Sequence, residues 1–103
     1  PPVYEWIVKP TQKDIIDAFY INAYWWVKIK LIELKTKFQS MWYSVLFSQI
    51  ENAYQNDKYH ALLQLFMKAK NVPQLYELNT EAEWNKIEIM VQELIYIENY
   101  RQI

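Results

Sequence analysis

The 103-residue chain carries a net charge of −1 and has neither glycine nor cysteine, while apolar residues make up 52% of it and aromatics 17%. Without glycine, phosphate-cradling loops, dinucleotide fingerprints and two-residue hairpin turns are excluded; without cysteine, so are disulfides and thiolate metal sites. Near-neutral charge gives no global pull towards nucleic acid, and nine Tyr and five Trp exceed what one small core easily hides.

Residues 1–10 (PPVYEWIVKP) are bracketed by prolines and alternate Val3, Glu5, Ile7 with Tyr4, Trp6, Val8. Proline blocks ladder pairing at both ends, so this segment reads as an extended arm rather than a central strand. The chain opens on Pro1, which suggests a trimmed or processed piece. No signal-peptide pattern is visible.

Residues 11–103 read as a single helical domain. Thr11 with Asp14 three residues on is a capping-box start, and the pattern predicts a long helix from there to about Lys37. One of its faces holds Ile15, Phe19, Asn22, Trp26 and Ile29. A second holds Ile16, Tyr20, Ala23, Val27, Leu31 and Leu34, and a third Ala18, Ile21, Trp25 and Ile32. A helix apolar nearly all round must be covered nearly all round. The rest of the chain is the first candidate to cover it, and other copies are the second. The alternation in Val27–Leu31 has strand period, but the cap and the unbroken flanks favour helix.

A kink or turn is expected within Thr36–Ser40, then a helix to about Gln55 with Trp42, Leu46, Ile50 and Ala53 inward and Val45, Phe47 and Tyr54 beside them. Asn56-Asp57 signals a turn and an N-cap. The next helix, to about Lys70, buries Ala61, Leu62, Leu65, Phe66 and Ala69, and Asn71 is expected to take a left-handed cap. Pro73 opens a short helical turn. Thr80 and Glu83 form a second capping box, starting a last helix to about Arg101 with Trp84, Ile87, Val91, Leu94 and Ile95 inward. The predicted fold is therefore all-α: a four-helix bundle behind an extended N-terminal arm.

No catalytic, cofactor or metal signature emerges. His60 is the only histidine; it lies early in a helix with no second ligand at helical spacing, which favours a surface role over haem or metal ligation. The carboxylate pairs Asp14/Asp17, Glu81/Glu83 and Glu88/Glu93 sit at helix starts or on a polar face, where capping explains them better than acid–base or di-metal chemistry. The uncharged run Ala18–Val27 is far short of the roughly 20 residues that span a bilayer.

Lys28, Lys30, Lys35 and Lys37 form the one basic cluster, interleaved with Tyr24, Trp25, Trp26 and Phe38. That composition suits a polyanion or lipid headgroups as well as a solvated helix end. At about 100° per residue, Lys28 and Lys35 fall on one side and Lys30 and Lys37 on roughly the opposite side. Tyr4, Trp6, Tyr24, Trp25 and Trp26 are the aromatics most in excess of one core, and they suit a half-wet self-association or partner surface.

The Pro-bracketed aromatic arm, the long apolar helix after Thr11 and the bundle ending at Arg101 resemble the coat proteins of filamentous archaeal viruses. That resemblance implies a compact four-helix bundle with a mobile arm, a homo-oligomeric assembly on double-stranded DNA and residence in the virion, with the cytoplasm as the alternative location. The family's arm is usually basic, whereas this one has only Lys9; if the chain is a trimmed piece the basic part lies upstream of Pro1, and otherwise the arm departs from the family's mode of DNA contact. The expected function is a non-enzymatic structural subunit with no small-molecule substrate or cofactor, in contact with DNA or with a lipid envelope. The alternative is a small viral or phage module that grips a host protein through the same aromatic surface.

Overall fold

A computed structural model of the chain describes residues 9–102. It contains five helices, α1 (Gln12–Ser40), α2 (Ser44–Gln55), α3 (Tyr59–Lys70), the single turn α4 (Pro73–Tyr76) and α5 (Glu81–Arg101). No strand occurs among the described residues, and Val27–Leu31 is helical. The fold is all-α. Tyr4 and Trp6, with most of the expected arm, lie outside the described residues.

Both capping boxes form. The Thr11 hydroxyl accepts from the Asp14 N–H at 3.1 Å while the Asp14 carboxylate accepts from the Thr11 N–H at 3.0 Å. Thr80 and Glu83 repeat the exchange at 3.1 and 3.0 Å. Each box satisfies two of the N–H groups that a helix start leaves without partners.

The helix ends are solved differently from the sequence expectation. Helix α1 runs through Ser40 and turns at Met41–Tyr43. There the Tyr43 N–H donates to the Phe38 carbonyl at 2.9 Å and the Trp42 N–H to the Gln39 carbonyl at 3.2 Å. This bond pair is the Schellman motif, which requires a left-handed residue after the cap, usually glycine. With no glycine in the chain, Trp42 takes that conformation at φ 67. Its side chain therefore leaves the apolar face expected of it and stands 94% exposed, with Val45 beside it exposed as well.

Helix α2 ends in the same way. The Lys58 N–H donates to the Ala53 carbonyl at 2.9 Å and the Asp57 N–H to the Tyr54 carbonyl at 3.3 Å, with Asp57 at φ 57. Asp57 thus closes α2 instead of capping α3, whose N-cap position is held by Lys58 without a side-chain bond. Asn71 stays right-handed at φ −83. A left-handed conformation costs a bulky residue roughly 1–2 kcal/mol. Trp42→Gly is accordingly expected to raise stability by about 0.5–1 kcal/mol, since glycine gives back part of the gain as chain entropy. A denaturation midpoint that rises at unchanged slope would bear this out; a fall would show that the exposed indole packs on something.

Ring contacts fix the topology. Phe38 meets Phe47 at 5.6 Å near the α1–α2 turn, and Tyr24 meets Tyr54 at 4.8 Å further along, so α2 runs antiparallel to α1. Tyr59 at the start of α3 meets Tyr20, while Arg101 at the end of α5 lies over the same Tyr20 ring and Glu83 at its start reaches Lys30. Helix α5 is therefore also antiparallel to α1. The main contacts run α1–α2, α2–α3, α3–α5 and α5–α1, closing an up-down-up-down ring of four helices.

The core inside that ring comprises Ala23, Val27, Leu34 and Phe38 of α1, Phe47 and Ile50 of α2, Leu62 and Phe66 of α3, and Trp84, Ile87, Val91 and Leu94 of α5. Each of the larger side chains contributes roughly 1.5–3 kcal/mol by burial. Trp84 also donates its indole N–H to the Tyr76 carbonyl at 2.9 Å. Helix α1 is longer than the bundle it belongs to. Tyr20 already meets the start of α3 and the end of α5, and nothing in residues 9–19 is buried. Its first eight residues, about 12 Å, overhang that end.

Candidate interaction surface

The three apolar faces of α1 have separate fates. The face with Ala23, Val27, Leu31 and Leu34 turns into the core. The other two stay outside: Ile15, Phe19, Ile21, Trp25, Ile29 and Ile32 are all exposed, Ile32 the most at 67%. Opposite the core they form one ridge about 26 Å long, interrupted by the exposed amide of Asn22. Scattered exposed hydrophobic residues are ordinary, but a contiguous apolar ridge marks a contact surface.

Charged side chains border the ridge. On the side facing α2 stand Asp17, Lys28 and Lys35; the Lys28 Nζ lies 4.8 Å from the centre of the Trp25 ring, and Lys35 pairs loosely with Glu51 at 3.8 Å. On the side facing α5, Trp26 is half-buried with Lys30 and Lys86 over its ring at 5.7 and 5.1 Å. Trp26, Ile29, Lys30, Glu33, Glu83 and Lys86 line a shallow groove of about 360 Å³ there.

The expected lysine cluster does not hold together. Lys30 is buried; its ammonium donates to Glu83 at 2.9 Å and to Asn79 Oδ1 at 3.3 Å, and pairs with Glu33 at 3.3 Å. It is therefore withdrawn from the residues available to phosphate. Burial pulls this ammonium down, but the Glu83 and Glu33 bonds outweigh it and the net shift is upward. Lys28 and Lys35 remain on one side about two turns apart, and Lys37 is exposed in the last turn of α1.

The expected aromatic surface also divides. Trp25 is exposed and Trp26 half-exposed, whereas Tyr24 belongs to the bundle: its ring stacks on Tyr54, and its carbonyl accepts the Tyr54 hydroxyl at 2.8 Å. A tyrosine cluster at the same end escaped the sequence reading. The Tyr20 and Tyr59 hydroxyls lie 2.6 Å apart, and Tyr59 donates to Asp57 at 2.9 Å. Burial pushes the Tyr54 and Tyr59 hydroxyls up, and each is also held as a donor, which keeps both protonated. The i,i+4 pair Tyr20/Tyr24 was the available signal. Its partners on α2 and α3 were not.

Of the paired carboxylates, Asp14 and Glu83 cap helices. Burial plays no part in lowering Asp14; the Thr11 backbone N–H and then its hydroxyl do so. Glu81 accepts from the Tyr76 hydroxyl and sits 3.5 Å from Lys70. His60 is exposed. Among the described residues no three His, Asp or Glu side chains are placed to share a metal ion, and no helix is long and apolar enough to cross a membrane. Comparison with family models, curated proteins and solved structures finds no match to this chain.

Proposed function

We propose that the chain is a non-enzymatic assembly subunit, most concretely a virion coat subunit that self-associates through α1 and packages double-stranded DNA. One observation carries this reading: a helix at the corner of a well-packed bundle keeps a second apolar face, with Trp25 at its middle, outside the core. That face needs a cover, and a repeating subunit supplies one in every neighbour. The coat and DNA elements of the reading come from the resemblance of arm, long helix and bundle. With Lys30 engaged internally, Lys28, Lys35 and Lys37 are the members of the expected cluster left for phosphate.

Light scattering with sedimentation across a concentration range, with and without double-stranded DNA, tests the proposal. Large species should grow with concentration, increase with DNA and recede with salt, because phosphate contacts release counterions. A monomer indifferent to DNA would overturn it. The same ridge would then serve the alternative, a module gripping a host protein.

A further inference from the structure

We propose that the ridge on α1 is covered by α1 of a second copy, packed antiparallel about a two-fold axis that passes beside Trp25. This deepens the assembly reading and rests on it. The charges bordering the ridge carry the inference. Asp17 and Lys35 lie about five turns apart and so on the same flank of the helix, with Lys28 between them. In an antiparallel two-fold pair each flank meets the same flank of the other copy. A register centred on Trp25 and Trp26 then sets Asp17 against Lys35 of the second copy, and the symmetry repeats the pair at the other end.

A parallel two-fold pair would set this flank against the opposite one at the same height, so Asp17 and Lys35 would not meet. The antiparallel register leaves the two Lys28 side chains about 8 Å apart along the axis, a single repulsion that the two Asp17–Lys35 pairs offset. The helix dipoles also favour the antiparallel choice. Along the ridge this register places Ile21 beside Ile29, and the small Ala18 beside the protruding Ile32, so that large fills small at both ends. Lys35 is free to change partners, since its present contact with Glu51 is long and largely exposed.

The absence of cysteine makes the geometry directly readable. Ala18→Cys and Ile32→Cys variants are mixed under mild oxidation and the disulfides identified. The proposal predicts the crossed product, in which position 18 of one variant is joined to position 32 of the other, and little of either self-linked one. Self-linked products without the crossed one overturn it. Independently, Asp17→Lys should weaken self-association on the order of ten-fold in a salt-sensitive way, as should Lys35→Asp. Combining the two in one chain should restore it. A double variant no better than either single one contradicts the register. Self-association that survives all these changes leaves the assembly reading standing and removes this seam; a chain monomeric at every concentration removes both.

Discussion

Lys30→Ala is expected to lower stability by about 2–3 kcal/mol, among the largest effects of any polar substitution in the bundle. Removing one partner of a buried pair usually costs about 3–5 kcal/mol. Here the two acids are 43% and 55% exposed, so water takes back part of the loss. What remains is Asn79, buried and now without its ammonium partner, its side-chain nitrogen already lacking one, and an emptied channel beside Trp26. Lys30→Met keeps the stem and should cost less than the alanine change. Chemical denaturation of the two variants checks both the size and the order.

The same site predicts an acid dependence. The Thr80 backbone N–H, and after it the Lys30 ammonium, hold the Glu83 carboxyl at about 2 against its ordinary 4.5. The folded value lies below the unfolded one. The stabilisation is therefore fully present above about pH 4.5 and is lost as pH falls towards 2. In Lys30→Met the lysine's share of that acid sensitivity should vanish while the Thr80 share persists.

Trp25→Ala is expected to behave in the opposite way. A Trp at the centre of an interface typically accounts for about 2 kcal/mol or more of binding, about thirty-fold in affinity. An exposed side chain contributes little to folding, typically within about 0.5 kcal/mol. Self-association should therefore fall about thirty-fold while the unfolding transition hardly moves. Sedimentation and denaturation on the same preparation separate the two. Loss of stability without loss of association would place the indole in the fold and not in a contact.

What the sequence made legible was local. The boxes Thr11/Asp14 and Thr80/Glu83 close over three residues, and both helices begin where their caps predict. The end signals misled because a Schellman turn is set by bonds across six residues, not by the identity of one. Without glycine the left-handed duty fell to Trp42 and Asp57, and Asn71, the residue best suited to it, was not used. Lys30 was misread for a related reason: its partners Asn79 and Glu83 lie 49 and 53 residues away, so a helical wheel shows only another lysine. The apolar excess of α1 was plain from its three faces. Which face the core would take was not, because Ala23-Val27-Leu34 and Ile21-Trp25-Ile32 are equally apolar, and only the packing of α2 and α5 against the helix decides between them.

The most direct test of the covered ridge is hydroxyl-radical footprinting of the chain from low to high concentration. Trp25, Ile29 and Ile32 should become protected as concentration rises, while Trp42 and Tyr96, exposed away from the ridge, keep their reactivity. If Trp25 reacts as fast at high concentration as at low, no second copy covers this face.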